Sequence, residues 1–253
     1  MKVITLLTDF GDFYPGVMKG VILSLSPEAR IVDITHDIEP QNVFQGAFLL
    51  YNSYRYFRDA VHVAVVDPGV GTERRAVVIE SKNYFFVGPD NGILYPSAVE
   101  DGIKAVYSIK EEISKLVGEL STTFHGRDIF APAAAMVANG DYTYFEEFDS
   151  GELKELELFD YSIGGNKVRC RVVYVDRFGN IITNLRELKG KRKGFYFRNI
   201  EFPFVKTYLD VDVGEPLSLI GSFGTLELSV REGSAADMLG IKRGGEWIEL
   251  EVL

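Results

Sequence analysis

Four short segments gather polar side chains that could together move a proton or grip a charged ligand. They read Thr8-Asp9-Phe10-Gly11-Asp12, Asp33-Ile34-Thr35-His36-Asp37, Asp67-Pro68-Gly69-Val70-Gly71-Thr72-Glu73-Arg74-Arg75 and Thr123-Phe124-His125-Gly126-Arg127-Asp128. No serine or cysteine stands in a recognisable nucleophile elbow. The chemistry available is therefore that of carboxylate, imidazole, guanidinium and water. The glycines of the third segment form neither a G-x-G-x-x-G fingerprint nor a phosphate-binding loop with its Lys-Ser/Thr. Asp9, Asp12 and His36 are residue types that suit a divalent metal. No second histidine lies at ligand spacing, and short aspartate-rich turns more often cap helices. His62 sits among apolar neighbours and reads as structural. His125 stands at a junction into a helix, beside Gly126, Arg127 and Asp128, where an imidazole can change charge near neutral pH.

The elements that must position these segments alternate in type. Val3–Thr8, Arg30–Thr35 and residues 61–66 are short β-rich runs, the last almost wholly apolar, as a strand covered on both faces would be. Residues 14–25 and 42–57 carry apolar side chains at helical spacing. Strand, helix, strand, helix, strand requires crossover connections and a largely parallel sheet. The first three polar segments then fall at strand ends, where open α/β sheets keep their ligand crevices, and the fourth leads into an alanine-rich helix. Strands at 76–80 and 84–87 lead into a Pro-Asp-Asn-Gly turn at 89–92. Asp128 is expected to cap an alanine-rich helix running to residue 138 and stopped by Asn139-Gly140. From about residue 151 the texture changes to short strands at 168–175, 195–200, Pro216–Ile220, 226–230 and Trp247–Val252, with one short helix at 234–239. The expectation is an α/β domain over residues 1–161, a linker near 162–166, and a smaller antiparallel β-barrel-like domain over 167–253.

Composition excludes several classes. The formal charge is −10 and the hydrophobic fraction 46% over 253 residues. Nucleic-acid affinity rests on clustered Lys and Arg, and the one basic run, Lys189, Lys191, Arg192 and Lys193, reads as a solvated hairpin turn. No nucleic acid and no membrane partner is expected, since no stretch approaches the roughly 20 apolar residues that span a bilayer. Asp9 and Asp12 interrupt the N-terminal apolar run before it reaches signal-peptide length. The single cysteine, Cys170, rules out an internal disulfide framework. The expected location is the cytoplasm.

Taken together and in order, several motifs resemble the S-adenosylmethionine hydrolase (adenosine-forming) family, also called SAM hydroxide adenosyltransferases, which is related to the fluorinase and chlorinase enzymes. They are TDFG at 8–11, VVDPGVGTERR at 65–75, PDNG at 89–92, FHGRDIFAPAAA at 124–135, DRFGNIITN at 176–184 and GSAA at 233–236. The resemblance spans nearly the whole chain. It implies hydrolysis of S-adenosyl-L-methionine to adenosine and L-methionine without metal or cofactor. It also implies a homotrimer with active sites between neighbouring subunits. The family's catalytic Asp–Arg–His set falls on Asp67, Arg74 and His125, with Arg75 as an adjacent alternative to Arg74. The ribose diol falls to Asp9. Phe178 would stack on adenine and Asn180 would bond its edge, completed by main-chain groups around Val230 and Glu232. Asp176 would meet the methionine ammonium and Ser222 its carboxylate.

The sequence departs from the halogenase relatives, which carry Tyr-Ser at the positions of His125-Gly126 and seat halide with a tyrosine and a threonine at the positions of Asp67 and Val70. A carboxylate in that place repels an anion, which favours water over halide. The halogenases also have arginine at the position of Phe223, so the anchor of the methionine carboxylate is open. Three other readings compete: a halogenase, a non-catalytic adenosine or S-adenosylmethionine binder, and a metal phosphohydrolase using Asp9, Asp12 and His36. Binding alone would not need the Asp–Arg–His set.

Overall fold

A computed structural model describes residues 2–186 and 192–253. Lys189 and Lys191, with the turn expected around them, lie outside the described residues. The chain divides into two compact units, Met1–Leu156 and Glu157–Leu253.

In the first unit, strands β1 (Val3–Thr8), β2 (Arg30–Thr35) and β3 (Val61–Val65) alternate with helices α1 (Phe13–Leu25) and α2 (Val43–Ser53). The second helix starts where Asn42 accepts a hydrogen bond from the Gln45 backbone N–H, a side-chain N-cap. Strands β4 (Ala76–Ser81) and β5 (Phe85–Pro89), helix α3 (Tyr95–Asp101), strand β6 (Ile103–Ile109), helix α4 (Ala131–Asn139) and strand β7 (Phe145–Phe148) complete the unit. The sheet order is β2-β1-β3-β5-β4-β6-β7. The first four strands pair in parallel, and β4, β6 and β7 extend them antiparallel because β4 and β5 form a hairpin. Strand β3 is buried throughout. Val61, Val63 and Val65 join the core with Met18 and Ile22 of α1 and Ala133, Ala134 and Val137 of α4.

His62 points to the opposite face of that strand. It is fully buried, stacks on Phe86 at 5.3 Å and shares a 2.7 Å hydrogen bond between its Nδ1 and Thr5 Oγ1. Burial pushes its pKa down to about 3. The folded state thus holds the neutral ring, while the unfolded chain takes up a proton below its ordinary value near 6.5. Stability from this group is full above pH 6.5 and lost as pH falls toward 3, by up to about 1.4 kcal/mol per pH unit. Urea titrations at pH 7, 5 and 4 should show that slope in the wild type and a shallower one in His62→Gln. Equal slopes would remove His62 as its source.

The second unit is an antiparallel barrel-like sheet. Its strands are β8 (Ser162–Gly164), β9 (Lys167–Val175), β10 (Ile181–Arg186), β11 (Gly194–Phe197), β12 (Ile200–Pro203), β13 (Pro216–Ile220), β14 (Thr225–Val230) and β15 (Trp247–Val252), with helix α5 (Ala235–Leu239). The order runs β12-β11-β15-β9-β10-β14-β13, and β8 pairs with β9. The two edges approach each other where Val205 N–H donates to the Ser218 carbonyl at 2.9 Å and Ser218 Oγ to the Phe202 carbonyl at 3.0 Å. Inward-facing Val168, Cys170, Val172, Phe195, Phe202, Leu226, Leu228 and Leu250 fill the interior.

Two local expectations are corrected. Residues 195–200, read as one strand, belong to a hairpin whose turn residues Arg198 and Asn199 both have positive φ, 47° and 65°. Residues 162–164, read as linker, pair with β9 as β8, and Gly165 at φ 62° makes the turn between them.

Candidate active site

Asp67 follows β3 directly, and the chain then reverses twice to bring Arg74 back onto it. Val70 N–H donates to the Asp67 carbonyl, and Thr72 donates to the Gly69 carbonyl through both its backbone N–H and its hydroxyl. Glycine is required at position 71, where φ is 77° and a Cβ would lie 2.6 Å from the Thr122 carbonyl oxygen. Asn91 holds the base of the loop by donating from its side-chain amide to the Val66 carbonyl at 2.8 Å.

Within this loop Arg74 Nε donates to both Asp67 oxygens at 3.0 Å, and Arg74 Nη2 donates to Asp67 Oδ2 at 2.5 Å. Both side chains are largely buried, at 11% and 5% exposure, so the pair is shielded from solvent screening. Arg74 Nη2 also donates to His125 Nδ1 at 2.8 Å, and the guanidinium lies 5.2 Å from the Phe130 ring centre. A guanidinium has no acceptor to offer. Its bond therefore fixes Nδ1 as the acceptor and leaves the imidazole proton on Nε2. Burial, and after it the Arg74 charge, lower the His125 pKa below the ordinary histidine value. The ring is neutral at neutral pH.

Arg75, the alternative position, turns away. It pairs with Asp90 at 3.3 Å and Glu152 at 2.8 Å and stacks on Phe148 at 4.4 Å. Only Arg74 meets both Asp67 and His125.

His125 sits just before a π-helical turn over Gly126–Phe130, closed by the Ala131 N–H donating to the Gly126 carbonyl. Pro132, at the start of α4, has no N–H and its ring crowds the carbonyl four residues earlier. The backbone widens at that point. Asp128 is consequently not the cap that the sequence suggested. Buried within the turn, it accepts from the Ser121 N–H at 2.8 Å and from Arg127. Gly126 packs against Phe10, Phe124 and Met18, where a Cβ would come within 2.9 Å of the Phe10 ring.

Asp9 follows β1 and accepts the Gln41 N–H at 2.8 Å. Its pKa is raised, chiefly by burial, with a further push from the negative charge of Asp67. His36 is engaged elsewhere: Nδ1 bonds Thr8 Oγ1 at 2.9 Å and Nε2 lies 3.1 Å from Asp33, which also pairs with Lys19. Among the described residues no three His, Cys, Asp or Glu side chains form a group that could hold a metal ion.

The remaining residues singled out in the sequence lie in the second unit, around an open cavity of about 1040 Å³. Asp176, Phe178, Asn180, Ser222, Val230 and Glu232 all line it. Asp176 organises the β9–β10 turn: Oδ1 accepts the Phe178 and Asn180 N–H groups and Oδ2 accepts the Asn180 amide, each at 2.9 Å. This turn presents Phe178 as a ring 78% exposed. Sequence reasoning missed Gln41, Tyr208 and Glu227. A glutamate inside the apolar run of β14 was the available signal for the last of these.

The fold and site thus combine a parallel-stranded α/β unit carrying a carboxylate–guanidinium–imidazole chain with a β-barrel-like unit whose cavity offers an aromatic platform. The SAM hydroxide adenosyltransferase N-terminal domain matches residues 4–148, and the C-terminal domain of the same name matches 170–248. The chain belongs to the SAM hydroxide adenosyltransferase family. It is 38% identical to a protein of Methanocaldococcus jannaschii named (R)-S-adenosyl-L-methionine hydrolase, covering 95% of this chain and 93% of the relative. A protein of the same name from Salinispora tropica is 35% identical, with 95% of each chain covered. A fluorinase of an Actinoplanes species is 24% identical over 96% of this chain and 95% of its own. An uncharacterised conserved protein from Thermotoga maritima has a similar crystal structure, with a TM-score of 0.85 and 36% identity, covering 98% of this chain and 99% of that one.

Proposed function

We propose that this chain hydrolyses S-adenosyl-L-methionine to adenosine and L-methionine, with water attacking the ribose 5′ carbon. The observation that carries the reading is the unbroken contact chain from Asp67 through Arg74 to His125. Relatives named as hydrolases of the (R) sulfonium epimer, at 34–38% identity, support it.

The reaction asks little of its leaving group. The sulfonium is already cationic and departs as a neutral thioether, so neither a general acid nor a metal is required there. What remains is to hold one water about 3–3.5 Å from the carbon and in line with the carbon–sulfur bond, an orientation worth roughly 7–11 kcal/mol. Asp67 orients that water and accepts its proton, while the Arg74 charge and the His125 Nε2–H offset the developing hydroxide. His125 is a donor in this scheme, because its Nδ1 lone pair is already occupied by Arg74. The negative charge of Asp67 disfavours halide in the same place.

Asp9 holds the ribose diol, with one oxygen anchored by Gln41 and the other available to hydroxyl donors. Phe178 stacks on adenine, and Asn180 with the main chain near Val230 and Glu232 bonds its edge. The catalytic set and the nucleoside cavity meet between neighbouring subunits of a homotrimer, a reading supported by the family resemblance. Light scattering at three times the 28.3 kDa chain mass would check it. We place the enzyme in the cytoplasm, where its substrate is made and its lone cysteine would stay reduced; fractionation of cells tests this.

The deciding assay incubates the protein with each sulfonium epimer, with EDTA or with chloride, and separates the products. Adenosine and methionine in equal amounts from the (R) epimer, undiminished by EDTA, are expected. A 5′-chloro product would point to the halogenase alternative, and no turnover of either epimer would sink the hydrolase reading.

A further inference from the structure

Residues 8–12 link β1 to α1 and carry Asp9, and residues 35–41, at the end of β2 and beyond it, clasp them. Gly11 N–H donates to the His36 carbonyl at 3.0 Å, and Gln41 N–H donates to Asp9 Oδ2 at 2.8 Å. The His36 side chain also joins the two segments. Only 13% exposed, it places Nδ1 2.9 Å from Thr8 Oγ1 and Nε2 3.1 Å from Asp33 Oδ1. The negative charge of Asp33 favours the ring proton on Nε2, so Nδ1 accepts and the Thr8 hydroxyl donates. The hydroxyl oxygen in turn accepts the Phe10 N–H at 3.2 Å. Thr8 itself is fully buried. A register break in the β1–β2 ladder brings the ring into reach. Leu6 pairs with Asp33 but Leu7 pairs with Thr35, which leaves Ile34 as an extra residue in β2. Such bulges re-aim the side chains beside them. Asp33 is held from its other side by Lys19 of α1.

We infer that His36 is a positioning residue that aims the Asp9 carboxylate at the ribose diol, a role that rests on the nucleoside reading of Asp9 above. Its bond to Thr8 fixes the backbone one residue before Asp9. The bond from Phe10 to the same hydroxyl fixes the backbone one residue after. Hydrogen bonds weaken steeply as they bend, so a carboxylate serves two neighbouring hydroxyls only within a narrow range of orientations. Gln41 restrains one Asp9 oxygen, while the Thr8–His36 pair restrains the chain from which the side chain springs. His36 touches no substrate in this scheme. It acts through Asp9, and its effect is confined to ligands that carry the diol.

Two nucleosides test this without turnover. Adenosine has both ribose hydroxyls, whereas 2′,3′-dideoxyadenosine has neither and offers Asp9 no diol. In His36→Ala, displacement calorimetry should show adenosine binding about 10-fold weaker, the low end of what a hydrogen bond to a charged group supplies. Binding of 2′,3′-dideoxyadenosine should be unchanged. Unchanged adenosine affinity, or equal weakening of both nucleosides, overturns the assignment, the latter because it marks general support of the fold. Should His36→Ala misfold, Thr8→Val takes its place. That variant keeps the shape of the buried side chain, removes the hydroxyl, and should show the same selective loss; no selective loss overturns the proposal. A wild type that binds both nucleosides equally overturns the diol reading of Asp9, and the proposal with it. A wild type that prefers adenosine, with variants that keep the full preference, overturns the proposal alone.

Discussion

Asp67→Asn lowers the single-turnover rate of hydrolysis by about 10²–10⁴-fold, the range that general-base assistance supplies, with little change in adenosine affinity. The amide can still accept from Arg74 Nε, so the loop keeps one of its bonds, but the group no longer takes a proton. Arg74→Ala cuts two contacts at once, since the same Nη2 reaches both Asp67 and His125. His125→Ala removes the Nε2–H donor. In the proposed mechanism the three groups act on one water, so their losses should not multiply: Asp67→Asn combined with His125→Ala is expected to be about as slow as the worse single variant. A purely structural set would behave otherwise, with lower thermal stability and normal turnover in the cold. Folded Asp67→Asn and His125→Ala proteins with near wild-type single-turnover rates would falsify the water-activating role.

A second large effect should come from a residue with no side chain. Gly179, between Phe178 and Asn180, has φ 81°, and a Cβ there would lie 2.1 Å from Ser234 Oγ and 2.9 Å from Ser234 Cα. Ser234 cannot retreat freely, because its hydroxyl caps α5 by accepting the Asp237 N–H, and Ala236 N–H donates to the Gly179 carbonyl. Gly179→Ala must therefore displace the turn that carries Phe178 and Asn180, the two proposed adenine contacts. We expect adenosine affinity to fall at least about 10-fold, consistent with loss of one buried polar contact worth 1–3 kcal/mol. Gly214→Ala is the control. Its φ is 85° but nothing lies within 4 Å of the added carbon, so it carries the backbone strain alone, about 1–2 kcal/mol, and should leave adenosine binding intact. Equal adenosine affinity in Gly179→Ala and the wild type would dismiss the turn as a ligand platform.

Much of the fold was legible where one physical signal dominated. Strands β1, β2, β13 and β15 have the bounds read from the sequence, since each is an apolar or alternating run closed by turn residues. The β11–β12 hairpin escaped because its turn is Arg198-Asn199, and arginine carries no mark of the left-handed conformation it adopts there. Strand β7 was missed because Glu146 and Glu147 interrupt its apolar pattern. At the site, polar segments at strand ends singled out the neighbourhoods of Asp9 and Asp67 and the junction into a helix singled out His125, while their roles were implied by the family resemblance. The choice between Arg74 and Arg75 could not be read that way. Adjacent side chains diverge, and only the double reversal of the 67–72 loop decides which one returns to Asp67. Glu227 was marked only by its place in the apolar run of β14, and its surroundings were not legible because Tyr208 reaches it from a distant part of the chain.

The bond from Arg74 to His125 Nδ1 has a consequence for how the enzyme meets changing acidity. An unconstrained imidazole would gain charge as its surroundings drift from pH 7.5 toward 6, and a mechanism leaning on it would slow or quicken with every such drift. Here burial disfavours the charged ring, and the guanidinium that occupies the lone pair opposes a second positive charge, so the ring's titration moves to more acidic pH. Hydrolysis should therefore depend less on pH between 7.5 and 6 than it would with an unconstrained imidazole, making substrate supply, more than proton concentration, the quantity to which the enzyme responds.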